Sequence, residues 1–166
     1  MNGARRSAAI AFVGVALSSG AALAAASPPR LSPQDAVRSA IAPLEPESRG
    51  SRGEVVITLA IADGYHVMSD RPSSEFYIAT RVRLDPRAGL AWEEARYPKP
   101  VPFHFDGKQI ATFEGEVVVR IPFSVADDAP AGPLVVSGLL TYQACTKTRC
   151  LFPVKRPLAL EIPIAP

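Results

Sequence analysis

The sequence predicts an all-β protein, an antiparallel β-sandwich. Three observations lead there. Apolar, β-branched runs of strand length recur, as in "EVVITLAIA", "GEVVVRIPF" and "PLVVSGLLTY". Turn signals such as Asp63-Gly64, Asp85-Pro86 and "ADDAPAG" separate them. The 17 prolines suit edges, turns and bulges and break helices. Short strands joined by turns close most readily into two antiparallel layers.

The first stretch is of another kind. Arg5 and Arg6 precede an apolar run from Ala8 to Leu17 and then small residues, the layout of a cleavable secretory signal peptide over residues 1–26. Ala22-Leu23-Ala24 and Ala24-Ala25-Ala26 both fit the cleavage rule. The run is short and rich in Ala and Gly, which disfavours a membrane anchor. Arg5-Arg6 alone is a weak basis for twin-arginine export. The expected location is therefore the periplasm, with no membrane span in the mature chain. Lys and Arg number 18 against 16 Asp and Glu. The leader holds two Arg and no acids, so its removal balances the charge. No electrostatic footprint for nucleic acid remains. One domain of roughly 140 residues can bury a real core.

Residues 27–53 read as an arm and linker. Ser32-Pro33-Gln34-Asp35 has the form of a helix start, and Ala36, Val37, Ala40 and Ile41 follow at helical spacing before Pro43. This predicts a short N-terminal helix. From Glu54 to the end, residues 54–166, the strands begin. "EVVITLAIA" ends at Asp63-Gly64. "FYIATRVRL" alternates through Ile78, Thr80, Val82 and Leu84. "LAWEEARY" precedes the proline cluster at 98, 100 and 102. "GEVVVRIPF" and "PLVVSGLLTYQAC" follow, and "CLFPVKRPLALEIPI" closes the chain.

The candidate chemistry sits in "YQACTKTRC". Both cysteines of the chain, Cys145 and Cys150, lie here with four residues between them. An exported protein can form and keep a disulfide. A loop of about six residues gains only about 2 kcal/mol from closure, against about 4.7 for a 100-residue loop. A staple for stability would join distant strands, which tilts the pair toward redox exchange. Lys147 and Arg149 favour thiolate, the attacking species. Two alternatives stay open: a structural disulfide in a non-catalytic interaction module, and a soft site for copper(I) using the cysteines with His66, Met68 or His104. No zinc spacing, phosphate loop, HExxH or GxSxG is present. Upstream, "YPKPVPFHFDGK" places Phe103 and Phe105 where they either shield a disulfide or fill an ordinary core.

"LTYQACTKTRCLFPVKRPLALEIPI" resembles the active-site region of the amino-terminal periplasmic domain of the thiol:disulfide interchange protein DsbD. "DGYHVMSDRP" and "FDGKQIATFEGEVVVRIPF" fall in matching order, so the resemblance spans Glu54 to Ile164. It implies an immunoglobulin-like sandwich bearing one redox-active cysteine pair and no cofactor or metal. It implies thioredoxin-like periplasmic partners and a separate membrane electron donor, since the chain has no membrane conduit of its own. Carried over by position, Cys150 forms the mixed disulfide and Cys145 resolves it. Phe105 takes the place of a cap-loop aromatic. Phe103, Tyr65 and Tyr142 are the other expected shielding or supporting residues. After the Asp-Gly turn the family's aromatic pattern is met by Tyr65 alone, with His66 and Met68 following.

Overall fold

Alternation of buried and exposed side chains organises the chain into strands, as a computed structural model of residues 31–166 describes it. The strands are β1 (Val37–Ile41), β2 (Arg52–Ile61), β3 (His66–Met68), β4 (Arg81–Leu84), β5 (Leu90–Trp92) and β6 (Val101–Phe105). They continue with β7 (Lys108–Phe113), β8 (Glu116–Val125), β9 (Gly132–Tyr142), β10 (Ala144–Cys145) and β11 (Val154–Ile164). In β2, Val55, Ile57, Leu59 and Ile61 are buried. In β8, Val117, Val119, Ile121, Phe123 and Val125 repeat the pattern. Period-two burial gives the sheet built on β2 and β8 one apolar face. The all-β antiparallel sandwich of immunoglobulin type is thus the fold, and no helix occurs among the described residues. The proposed leader, residues 1–26, lies outside the described residues.

Three sheets form: β1-β2-β8-β5, β11-β9-β4 and the small sheet β10-β3-β7-β6. All three contribute to one core through Ile57, Val119, Phe123, Leu140, Ile162, Val67 and Phe113. The long pairing of β9 with β11 runs from Val154↔Tyr142 to Ile164↔Gly132. Pro157 and Pro163 are tolerated because β11 is an edge strand. Where β4 crosses beside β9, a Cβ at Gly138 would lie 2.6 Å from Arg83 O, so glycine permits the close pairing.

The expected N-terminal helix is not formed. Ser32 to Ala36 make a single turn, closed by Asp35 N–H and Ala36 N–H donating to Ser32 O at 3.1 and 3.2 Å. The chain then enters β1, paired with β2 from Val37↔Ile61 to Ile41↔Ile57. A helix cut off by Pro43 would be too short to sustain itself. The sheet edge instead supplies backbone partners and buries Val37, whose β-branched side chain suits a strand. "LAWEEARY" yields only the three-residue β5, followed by one bridge at Arg96↔Arg120. In "FYIATRVRL" pairing begins at Arg81, leaving Tyr77 in the β3–β4 connection.

Candidate functional site

The small sheet has two different faces because its side chains alternate. Val67, Phe113 and Ala144 point into the main core. The residues between them point the other way. Cys145 on β10 is the register partner of His66 on β3. Met68 is the partner of Thr112 on β7, and Ile110 faces Phe103 on β6. Met68, Ile110 and Cys145 therefore form a second buried cluster, covered in part by Tyr77. The β6–β7 hairpin turns at Asp106-Gly107, both at positive φ (49° and 71°). That conformation suits a two-residue hairpin loop, and it sets Phe105 opposite Lys108.

Cys145 and Cys150 are disulfide-bonded across a tight hairpin. Thr146 N–H donates to Arg149 O at 2.7 Å, and Leu151 N–H donates to Ala144 O at 2.8 Å. The Thr146 hydroxyl accepts from the N–H groups of Thr148 and Arg149, both at 3.3 Å. Gln143 Nε2 donates to Leu151 O at 3.0 Å and ties the outgoing strand back. This arrangement separates the two sulfur-bearing residues by environment. Cys145 is 1% exposed in the second cluster. Cys150, bridged directly across from it, is exposed.

A small apolar pocket of about 90 Å³ lies against the disulfide. His66, Met68, Tyr77, Phe103, Phe105 and Ile110 line it, together with Thr146, Arg149 and the cysteines. The His66 and Phe103 rings are 4.1 Å apart, centre to centre. Burial holds the His66 imidazole below its usual value of 6.5, against the opposing pull of Glu114, just beyond β7. Two exposed aromatics neighbour the site in sequence. Phe152, two residues after Cys150, is 82% exposed, and Phe76, next to Tyr77, is 86% exposed.

Of the residues expected from sequence, Cys145, Cys150, Phe103 and Phe105 are brought together at this pocket. Tyr65 and Tyr142 do not line it. Both are buried in the main core. Tyr65 Oη accepts from Leu31 N–H at 3.1 Å. Tyr142 Oη donates to Pro33 O at 3.1 Å and accepts from Arg156 at 3.2 Å. These tyrosines fasten the N-terminal segment to the sandwich. His104 alternates with Phe103 and Phe105, so it points away and is exposed. His66 and Met68 do reach the pocket. Among the described residues, no group of three or more His, Cys, Asp or Glu side chains is placed to hold a metal ion. Tyr77, from the β3–β4 connection, and Ile110, from β7, join the site through tertiary contacts that no local pattern announces.

A family model described as "Thiol:disulfide interchange protein DsbD, N-terminal" matches residues 34–161. The reduced N-terminal domain of DsbD from Neisseria meningitidis is a structural neighbour, with a TM-score of 0.53 and 19% identity over 80% of this chain and 90% of that one. The N-terminal periplasmic domain of ScsB from Proteus mirabilis gives 0.45 and 21% over 76% and 45%. A complex between the DsbD and PilB N-terminal domains from Neisseria meningitidis gives 0.49 and 18% over 78% and 85%. No relative is found among curated protein sequences. Among the described residues, no helix is long and apolar enough to cross a membrane.

Proposed function

The chain belongs to the family of the N-terminal domain of the thiol:disulfide interchange protein DsbD, and from that premise we propose that it is an exported thiol–disulfide exchange protein. It relays reducing equivalents between periplasmic thioredoxin-like partners through Cys145 and Cys150. A separate membrane protein supplies the electrons. One observation carries the division of labour: Cys150 is exposed while Cys145 is buried behind it.

A donor thiolate attacks Sγ of Cys150, the exposed member of the pair. The Cys150–donor bond forms, the Cys145–Cys150 bond breaks, and Cys145 leaves as a thiolate that takes up a proton. The donor's second thiolate then attacks its own sulfur in the mixed disulfide. The donor leaves oxidised, and the pair is left with two electrons. With an acceptor the order reverses. Cys150 thiolate attacks the acceptor's disulfide, and Cys145 attacks Cys150 Sγ to release the reduced acceptor. Access and leaving-group acidity decide the rates. Phe103 and Phe105 support this reading because they line the same pocket as the cysteines and flank the buried Cys145 with apolar surface. The exposed Phe152, two residues after Cys150, and Phe76, next to the pocket residue Tyr77, offer apolar surface for an incoming partner.

The Cys145→Ser protein tests the proposal. It retains the attacking Cys150 and lacks the resolving thiol. It is expected to accumulate a covalent adduct with periplasmic thioredoxin-like proteins, seen by non-reducing electrophoresis and dispersed by dithiothreitol. Absence of any adduct, with a pair potential well below about −300 mV, would mark the bond as structural.

A further inference from the structure

We propose that His66 is the general base that takes the proton from the Cys145 thiol as Cys145 resolves the mixed disulfide. The inference rests on the exchange reading above and adds a residue that the cysteine pair alone does not supply. Cys145 works from a buried position, 1% exposed and clustered with Met68 and Ile110. A buried thiol ionises reluctantly, because its anion loses solvation. Resolution therefore needs a proton acceptor inside the pocket, where solvent reaches poorly.

The register supplies one. His66 is directly opposite Cys145 in the β3–β10 pair, so both side chains project from the same face. Both line the same pocket. The His66 ring is 4% exposed and rests against Phe103, which limits its swing. The other pocket groups serve poorly. Tyr77 is a far weaker base as a phenol, and Arg149 stays protonated. Glu114 acts on His66 from beyond β7 and helps to bear the imidazolium charge once formed. Burial keeps the resting imidazole neutral, the state that accepts a proton.

The step balances as follows. Cys145 Sγ attacks Cys150 Sγ, and the intramolecular disulfide forms. The bond from Cys150 to the partner breaks, and the partner leaves as a thiolate. The Cys145 proton ends on His66 and passes to solvent or to the departing thiolate. In the reverse direction the imidazolium returns a proton to Cys145 as it leaves.

The test uses the reduced protein with an aromatic disulfide, dithiobis(nitrobenzoate). Cys150 attack releases one coloured thiolate, and Cys145 resolution releases a second in a unimolecular step. For the wild type, the second rate should level off above the histidine transition, short of thiol ionisation. In His66→Gln it should fall about 100-fold at neutral pH, the low end for a positioned proton acceptor, and climb with hydroxide throughout. An unchanged rate and pH profile in a folded His66→Gln protein overturns the role of His66. If that variant does not fold, the wild-type profile decides: a plateau supports the proposal, and strict dependence on hydroxide overturns it. A wild-type protein that never releases the second thiolate defeats the exchange reading itself, which normal wild-type resolution leaves standing.

Discussion

The two faces of the small sheet use the same backbone for different ends. One face sends Val67, Phe113 and Ala144 into the main core, where all three sheets meet. The other holds Met68, Ile110 and Cys145 in a separate cluster under Tyr77, with the Cys145–Cys150 disulfide at its margin. Alternation along β3 makes the divide: Val67 serves the first face, and His66 and Met68 the second. The lesson is that the site is anchored from behind. Side chains of the second face stand on strands whose alternate residues are buried in the main core.

Substitutions on opposite faces should pull stability and exchange apart. The largest stability effect is expected from Phe113→Ala, which empties space beneath the sheet and removes the ring stacked on Tyr97. A loss of about 3–5 kcal/mol is expected, read from the denaturant midpoint. A smaller loss, about 2 kcal/mol, should follow Cys145→Ser/Cys150→Ser, because only a short loop is released. That protein should fold but transfer no electrons. Were the double variant as unstable as Phe113→Ala, the bond would be a structural element and the contrast between faces would fail.

How much of this was legible in the sequence depends on the range of the interactions involved. The strands β2, β8, β9 and β11 are readable because alternation is local and their apolar residues outnumber every competing signal. The Ser32–Ala36 segment is readable only as far as its first turn. Its continuation is decided by β2, more than a dozen residues downstream, which offers hydrogen bonds that a short helix cannot match. The cysteines and Phe103 and Phe105 could be singled out by type and by resemblance. Tyr65 and Tyr142 carry the same aromatic signal, yet their hydroxyls face the N-terminal segment. Nothing local tells an aromatic that lines the disulfide pocket from one buried in the main core. His66 draws attention in the sequence as a soft donor. Only the β3–β10 register gives it Cys145 as a neighbour.

The smallest expected effect sharpens the contrast further, because it concerns a charge that only the second face can acquire. Burial lowers the folded-state pKa of His66 below its ordinary 6.5, while Glu114 opposes the shift. The unfolded chain therefore binds a proton more readily than the folded one. Between the folded pKa and 6.5, stability must rise with pH. The contribution from neutral His66 is fully present above 6.5, declines as pH falls below it, and levels off once the folded form is protonated too. Denaturant midpoints of wild type and His66→Gln should thus diverge on acidification, with the wild type losing more. Glu114→Gln should deepen the wild-type loss, since it removes the charge that eases protonation. Parallel pH profiles for wild type and His66→Gln would mean that the pocket admits enough water to solvate the imidazolium. The second face would then be a surface cleft rather than a second interior.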